Sequence, residues 1–295
     1  MKIRIGVGVG LGGADTEVLT GLADDIVELG LDSLWLSEVL TAPGLDPLVG
    51  LAWAGAHNPK VKLGTTMLLP GRNLVRLAKE LASLDVLSKG RLLVTFVPGI
   101  PRGPERDAIG VPPAERGEVM DEMLVVLRRL WAGETVDHHG RAGDFEGVAV
   151  LPRPVQDPLE AWSGGMVPSS LRRCGRFYDG WLPSMCSPEE AAAGKRVIDQ
   201  AAEEAGRQIS PEHFGVSVGY AHQPLDDRTA AALAARAKGR DVTELVPVGL
   251  PALRRLLEGY LAVGFSKFVV RPLAPPARWR DELELLADGV GDLQT

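Results

Sequence analysis

The stretch Leu63-Gly64-Thr65-Thr66-Met67-Leu68-Leu69-Pro70-Gly71-Arg72-Asn73 sets the pattern that the rest of the chain follows. Its first half is apolar and β-branched, as in a strand that is buried on both faces, and the Pro-Gly pair ends that strand. Asn73 is a favourable N-cap for an amphipathic helix, which Gly90 ends before a new apolar run begins. The stretch therefore predicts a strand–helix–strand unit, in which Thr66 either satisfies a strand end or faces a ligand site.

The same alternation of strand and helix patterns continues along the chain. A predicted hairpin at 135–150 and a proline-rich connection at 151–158 interrupt it before the fifth strand. This count and length fit a (β/α)8 TIM barrel, in which residues 1–295 form a single domain with an insertion before strand five. The predicted strands are 3–9, 33–37, one within 61–69, 92–97, 159–163, 179–182, 214–221 and 267–271.

The bulk composition excludes several classes of protein. Among 295 residues the net charge is −7, which argues against a nucleic-acid or anionic-membrane partner. Cys174 and Cys186 are too few for a disulfide framework and have no metal-ligand spacing. The N-terminus lacks a signal-peptide pattern and no apolar run approaches ~18 residues, so we expect a cytoplasmic protein.

One motif is also typical of a different fold. Gly8-Val9-Gly10-Leu11-Gly12-Gly13 matches G-x-G-x-x-G after a strand, and Glu38 ends the second strand, where a dinucleotide-binding fold places its ribose-binding acid. A six-stranded sheet would leave the last third of the chain unexplained. The glycines are therefore interpreted as a tight turn or as a close approach of the backbone to a ligand.

Two further places could bind a ligand. The stretch Gly164-Gly165-Met166 lies between a strand and a helix, where it forms either an anion site or a structural turn. Arg102 and Arg106 follow strand four, where they could meet an acidic ligand or be solvated.

Candidate acid–base residues are few. The histidines show no metal spacing, and no metal site is predicted. His222 follows strand seven and would face the catalytic end of a barrel, and Glu38 would be a general acid, a cofactor contact or a cap. Such sparse side-chain chemistry points to a cofactor that carries the reaction on a small-molecule substrate.

Taken together, these motifs resemble the luciferase-like monooxygenase superfamily, especially its branch of coenzyme F420-dependent oxidoreductases. They occur in family order through about two thirds of the chain. The matching stretches are 28–38, 63–67, 70–73, 90–92, 110–112, 115–117, 151–156, Trp162-Ser163-Gly164-Gly165 and Asp179-Gly180-Trp181-Leu182-Pro183.

The resemblance implies a TIM barrel that holds a flavin or deazaflavin at its mouth, and it suggests a homodimer. It implies a bulge in the third strand with a cis peptide bond between Thr66 and Met67 behind the cofactor ring. It also places Glu38 beside the ring. The remaining implied contacts are Pro98 and Gly99 after strand four, and Gly164, Gly165 and Met166 at the cofactor phosphate.

The sequence departs from that pattern at two places. Val39 stands where F420 enzymes often have a histidine, and strand four ends Thr95-Phe96-Val97-Pro98-Gly99 instead of alternating with glycine, so that Phe96 or Pro98 could crowd the cofactor. The resulting hypothesis is an F420-dependent oxidoreductase that transfers a hydride to or from a small organic molecule. The alternatives are an FMN-dependent monooxygenase and a non-catalytic barrel that has lost its cofactor.

Overall fold

The computed structural model describes residues 1–10, 13–100, 103–237 and 241–295. Leu11 and Gly12 of the glycine motif and Arg102 lie outside the described residues. The strands are β1 Arg4–Gly8, β2 Ser33–Ser37, β3 Lys62–Leu68, β4 Leu92–Val97, β5 Val136–Gly140, β6 Gly143–Val148, β7 Ala161–Ser163, β8 Gly180–Trp181, β9 Gly215–Tyr220 and β10 Lys267–Pro272.

The helices alternate with these strands. Asn73 caps α3 as the sequence predicts, and Asp15 caps α1 in the same way, since each side chain accepts from a backbone N–H of the first turn. Short α4 and α9 were not expected, because each lasts only about one turn. The helices are α1 Thr16–Glu28, α2 Pro47–His57, α3 Leu74–Ser88, α4 Pro104–Ala108, α5 Arg116–Trp131, α6 Pro168–Phe177, α7 Pro188–Glu204, α8 Asp227–Ala237, α9 Val242–Leu245, α10 Leu250–Ala262 and α11 Trp279–Val290.

Eight parallel strands form one sheet in the order β8-β7-β4-β3-β2-β1-β10-β9. Its two edges meet, because Trp181 bridges Phe214 and Ser184 bridges Ser217. The sheet is thus a nearly closed (β/α)8 barrel, which confirms the predicted fold class and rules out the six-stranded alternative. The antiparallel pair β5–β6 is the insertion predicted before the fifth barrel strand.

Two tryptophans fill the amino-terminal half of the barrel interior. Trp35 and Trp162 are almost fully buried and belong to a small cluster inside the ring of strands. A Cβ on Gly64 would lie 2.1 Å from the Trp35 ring, and one on Gly180 would lie 2.5 Å from the Trp162 ring. The facing positions are therefore glycine because the indole rings occupy that space.

The third strand differs from the expectation that came with the resemblance. β3 pairs with β4 without interruption from Leu63 to Leu68, and the cis peptide bonds among the described residues are Leu151–Pro152 and Asp157–Pro158. The prediction of a bulge with a cis Thr66–Met67 bond is therefore wrong for this structure. Regular pairing with β2 as far as Thr66 and with β4 beyond it holds the strand extended.

A buried aspartate fastens the connection after the insertion to the barrel. Asp85, in α3, is fully buried and accepts from the backbone N–H of Val155 at 2.7 Å and of Gln156 at 3.0 Å. The Gln156 amide completes the set, since its Nε2 donates to Asp85 Oδ1 at 2.6 Å and to the Leu92 carbonyl at 2.8 Å. The Asp85 carboxylate thus holds the loop that leads into β7 against α3.

Asp85→Asn is expected to lower the free energy of unfolding by about 1–2 kcal/mol, because the new NH2 group faces the Gln156 donor. Urea unfolding followed by circular dichroism would measure the loss. Asp288→Asn is the matched control, since Asp288 is an exposed aspartate of α11. Equal stability of the Asp85 and Asp288 variants would show that the carboxylate does not fasten the loop.

No helix in the part of the chain that the structure describes is both long and apolar enough to cross a membrane.

Candidate active site

Glu38 and Arg72 form a half-buried ion pair at the carboxyl ends of β2 and β3. Arg72 Nη2 lies 2.6 Å from Glu38 Oε1, and Arg72 Nε donates to the Leu68 carbonyl at 3.0 Å. The second carboxylate oxygen of Glu38 accepts from the Leu68 N–H at 2.7 Å. Both carboxylate oxygens of Glu38 therefore accept hydrogen bonds from the end of β3 and the turn that follows it, as those of a capping residue would.

The protonation of Glu38 depends on two opposing effects. Burial raises the pKa of this carboxyl above its ordinary value, and Arg72 together with the Leu68 N–H only partly offsets that rise. Glu38 is thus easier to protonate than an exposed glutamate, although its oxygens already have donors. Glu38 is therefore suited to holding the wall of the barrel mouth in place and to setting the charge there.

A buried arginine organises the loop that follows β4. Arg116, at the start of α5, is 1% exposed, and its guanidinium donates to four backbone carbonyls of that loop. The distances are 3.1 Å to Pro98, 3.3 Å to Ile100, 2.6 Å to Arg106 and 3.0 Å to Val111. Arg116 therefore fixes the backbone next to Pro98 and Gly99. The sequence pattern includes Arg116 in the matching stretch 115–117 but predicts no role for it.

The same loop also reaches the strand end of β2. Glu105 in α4 is 5% exposed and accepts from the Leu40 N–H at 2.9 Å. A Cβ on Gly99 would lie 2.5 Å from Ile109 Cδ1 and 3.0 Å from Leu68 Cδ2. The loops after β2, β3 and β4 are thus packed together into one wall of the barrel mouth. Arg106, predicted as a ligand contact or a solvated charge, has a side chain that is 54% exposed.

The turn after β7 has the geometry of an anion site. Gly165 has φ +102° and is exposed, and its carbonyl accepts from Trp181 Nε1 at 3.0 Å. Helix α6 starts directly after this turn with Pro168, and its N-cap Val167 makes no side-chain cap. The N–H groups of Ser169 and Ser170 therefore have no acceptor within the helix, which favours an anion at this end.

Small neutral side chains line the barrel between that turn and β3. Alternation along the strands places Thr66, Thr95 and Val97 on the inner face, with Gly164 beside Val97. Thr95 Oγ1 is buried and has no hydrogen-bond partner in the part of the chain that the structure describes. Phe96, by contrast, is fully buried in the outer core, so it does not crowd the mouth as the sequence departure suggested.

His222 does not join these groups. Its Nε2 lies 2.8 and 2.9 Å from the two carboxylate oxygens of Glu282, which α11 contributes outside the ring of strands. The Tyr220 hydroxyl donates to the same carboxylate at 2.5 Å, and the Tyr220 and His222 rings meet edge to face at 5.7 Å. The structure thus separates the two predicted acid–base residues, with Glu38 at the mouth and His222 at its outer rim.

The other predicted positions divide between the mouth and the core. The Met67 side chain is fully buried in the outer core, whereas Met166 is half-buried beside the α6 turn. Cys174 and Cys186 are both buried thiols, and neither forms a disulfide within the described residues.

Comparisons with known proteins identify a matching family and several relatives. A family model described as luciferase-like monooxygenase matches residues 2–264. An uncharacterised protein of Mycobacterium tuberculosis is 30% identical over 191 residues, which span 63% of this chain and 64% of that protein. A putative coenzyme F420-dependent oxidoreductase of the same species is 25% identical over 249 residues, 78% of this chain and 69% of that protein. An F420-dependent glucose-6-phosphate dehydrogenase of Kineococcus radiotolerans is 30% identical over 176 residues, 56% of this chain and 51% of that enzyme.

Solved structures match along nearly the whole chain. An F420-dependent secondary alcohol dehydrogenase in complex with an F420-acetone adduct has a TM-score of 0.81 at 16% identity, with 100% of both chains covered. Monooxygenase RslO1 from Streptomyces bottropensis has a TM-score of 0.78 at 23% identity, with 99% of both chains covered. The oxygenating constituent of 3,6-diketocamphane monooxygenase from Pseudomonas putida, in complex with FMN, has a TM-score of 0.77 at 17% identity, with 100% and 99% covered. At these identities the structural matches establish the fold alone.

Proposed function

We propose, since this chain belongs to the luciferase-like monooxygenase family, that it is an oxidoreductase which transfers a hydride between coenzyme F420 and a small organic substrate. The observation that carries the proposal is the uncapped N-terminus of α6 after Gly164-Gly165, which opens beside a mouth lined with small neutral side chains. Two of the relatives, the putative coenzyme F420-dependent oxidoreductase and the F420-dependent glucose-6-phosphate dehydrogenase, favour the deazaflavin.

The residues present fit such a cofactor. The N–H groups of Ser169 and Ser170 are suited to a phosphate without any basic side chain, because the helix end supplies the partial positive charge. The Thr95 hydroxyl, which has no hydrogen-bond partner among the described residues, lies on the inner face of the barrel next to Thr66 in the strand register. Thr66, Pro98, Gly99, Gly164, Gly165 and Met166 would form the cofactor site.

The cofactor, when bound, supplies two electrons and a proton as a hydride, which no side chain of this mouth can supply. The protein's own share is to bind, orient and exclude water. Arg116 keeps the loop at Pro98 in place, and the Glu38–Arg72 pair keeps the end of β3 in place. Both sets of contacts fix the walls of the barrel mouth before the substrate binds. Such fixed positioning of the reactants lowers the activation barrier of the reaction.

An FMN-dependent monooxygenase is the second candidate. The α6 turn would accept the FMN phosphate equally well, and the structure of the oxygenating constituent of 3,6-diketocamphane monooxygenase is a complex with FMN. The two cofactors lead to different reactions, because reduced flavin reacts with oxygen whereas a deazaflavin reacts poorly with it. A non-catalytic barrel is the third alternative.

Titration of the purified protein with F420 and with FMN tests these proposals. We expect saturable F420 binding, with FMN bound at least about tenfold more weakly, a difference of about 1.4 kcal/mol. Absorbance and fluorescence titrations under identical buffer conditions would give both dissociation constants. Binding of FMN alone would favour the monooxygenase, and binding of neither cofactor would favour the non-catalytic barrel.

We also propose that the protein works in the cytoplasm as a homodimer, without a nucleic-acid or membrane partner. The dimer is supported by α2 and the loop before it, which expose Leu45, Val49 and Trp53 one helical turn apart; the exposed fractions are 47%, 68% and 53%.

A further inference from the structure

Two arginines bind main-chain carbonyl groups at the two ends of β4. Arg116 binds four carbonyls of the loop that follows the strand, at the barrel mouth. Arg91 precedes the strand, at the amino-terminal end of the barrel, and it also donates to four carbonyls. Its acceptors are Ser88 at 2.6 Å, Gly55 at 3.3 Å, Asn58 at 3.4 Å and Val61. The two guanidinium groups therefore make the same kind of contact at opposite ends of one strand.

The Pro98–Gly99 peptide is the part of the loop nearest to the guanidinium of Arg116. Arg116 Nη1 donates to the carbonyls of Pro98 at 3.1 Å and Ile100 at 3.3 Å, so the chain curves around this one nitrogen. Gly99, between them, has φ +78°, and a Cβ there would lie 2.5 Å from Ile109 Cδ1. The turn therefore requires glycine at this position.

The N–H group of Gly99 points away from Arg116. The Pro98–Gly99 bond is not among the cis peptide bonds, and in a planar trans peptide the N–H and C=O bonds point in opposite directions. Because the Pro98 carbonyl faces the buried guanidinium, the Gly99 N–H is directed to the opposite side of a half-buried loop. Among the residues that the structure describes, none accepts a hydrogen bond from it. This backbone donor is therefore available to a molecule bound at the mouth.

The charge of Arg116 also strengthens this donor. A cation that hydrogen-bonds to a peptide carbonyl withdraws electron density from the peptide nitrogen, so that its N–H becomes a better donor. Arg116 is almost fully buried, and water screens this effect less there than it would at the surface. Loss of the guanidinium would therefore change both the direction and the strength of the Gly99 N–H.

A single bound molecule can reach both this donor and the turn that precedes α6. Strands β4 and β7 are neighbours in the sheet, so the loops that follow them start at adjacent strand ends. A Cβ on Gly164 would lie 2.7 Å from Val97 Cγ1, which shows how closely the two ends pack. The N-terminus of α6 suits a phosphate, whereas one neutral N–H suits a carbonyl oxygen. A flavin or deazaflavin carries both groups, since the pyrimidine part of its ring has carbonyl oxygens.

We propose that Arg116 is a positioning residue for the cofactor, because it directs the Gly99 N–H towards a carbonyl oxygen of the deazaflavin ring. The inference rests on the proposed function, in which Pro98 and Gly99 belong to the cofactor site. Arg116 itself does not touch the cofactor and acts only through the Pro98–Gly99 peptide.

Fluorescence titration with F420 tests the inference in the wild type, Arg116→Met, Arg116→Lys and Arg91→Met. Arg116→Met should weaken F420 binding at least about tenfold. Arg116→Lys keeps the charge but reaches fewer carbonyls, so its affinity should be intermediate. Arg91→Met is the matched control, which should lower the melting temperature but leave F420 affinity unchanged. At saturation, the absorbance band of bound F420 should shift in Arg116→Met and stay in place in Arg91→Met.

Hydrogen–deuterium exchange of the cofactor-free protein adds a readout that needs no ligand. Amides of residues 103–111 should exchange faster in Arg116→Met than in the wild type, because the Arg106 and Val111 carbonyls lose their donor. Arg91→Met should leave the exchange of this segment unchanged. Exchange at the wild-type rate in Arg116→Met would show that the arginine does not hold the loop, and the inference would fail.

The binding outcomes separate this inference from the proposed function. If the wild type binds F420 and folded Arg116→Met binds it equally tightly, the inference alone is wrong. An equal loss of affinity in Arg91→Met would also overturn it, since the effect would then come from the stability of β4. If Arg116→Met does not fold, Arg116→Lys decides, and wild-type affinity in that variant would contradict the inference. A wild type that binds no F420 would overturn the proposed function, and the inference with it.

Discussion

Asp32→Asn is expected to lower the free energy of unfolding by about 3 kcal/mol, because it removes one partner of a buried ion pair. Lys267 Nζ lies 3.1 Å from Asp32 Oδ2, and the two side chains are only 7% and 5% exposed. Lys62 Nζ approaches the other carboxylate oxygen at 2.6 Å from the more exposed side. The substitution leaves the Lys267 ammonium buried at the amino-terminal end of the barrel without a neutralising charge.

The same pair makes the stability depend on pH. Burial alone would raise the pKa of the Asp32 carboxyl, but Lys267 and Lys62 outweigh burial and lower that pKa from 3.8 to about 2. Because the folded-state pKa lies below the unfolded value, the pair stabilises the fold above about pH 4, and this contribution of about 2 kcal/mol is lost as the pH falls towards 2. Urea unfolding of the wild type at several pH values from 5 to 2 should show this loss, and Asp32→Asn should show less of it.

Two further variants identify the cause. Asp292→Asn breaks an exposed ion pair with Arg254 in which the aspartate is 65% exposed, and it should cost less than about 1 kcal/mol. Lys267→Met added to Asp32→Asn should recover part of the lost stability, because a neutral side chain no longer needs a counter-charge. Equal losses for Asp32→Asn and Asp292→Asn, or no recovery in the double variant, would refute the buried-pair explanation.

The sequence was most informative where structure is determined locally. Helix α3 was predicted from the cap at Asn73 and the spacing of its leucines, and the structure confirms both. Strand β2, at Ser33–Ser37, also has the predicted bounds. In each case the local sequence signals, such as the spacing of apolar residues and the residues that begin or end the element, predict the same secondary structure.

The site depends on contacts between distant segments, which a single sequence does not encode in its local pattern. The four carbonyl partners of Arg116 come from a loop with no regular period, and Arg72 reaches Glu38 only because β2 and β3 lie side by side in the barrel. The glycines that face Trp35 and Trp162 were a usable signal, since glycine inside a strand often marks a close approach. The regular Thr66–Met67 linkage shows the opposite case, in which a resemblance implied a local detail that this strand does not have.

Gly165→Asp is expected to weaken F420 binding at least about 100-fold, a loss of about 2.7 kcal/mol, in the fluorescence titration. The new carboxylate would lie at the N-terminus of α6, where the N–H groups of Ser169 and Ser170 would hold the cofactor phosphate. It would compete for those donors and repel the phosphate. The new Cβ would also lie 2.8 Å from Ser170 Oγ, and φ at this position is +102°.

Strain and charge can be separated with two controls. Gly165→Ala introduces the same Cβ without a charge, so it should reproduce the strain but only part of the affinity loss. Gly206→Asp places the same side chain at another glycine of positive φ, +67°, where a Cβ meets no atom within 4 Å, and it should leave F420 binding unchanged. If Gly165→Asp binds F420 as tightly as the wild type while remaining folded, the α6 turn is only structural and the phosphate must bind elsewhere. A loss as large in Gly165→Ala as in Gly165→Asp would instead assign the effect to the shape of the turn, because charge repulsion is absent from the alanine variant.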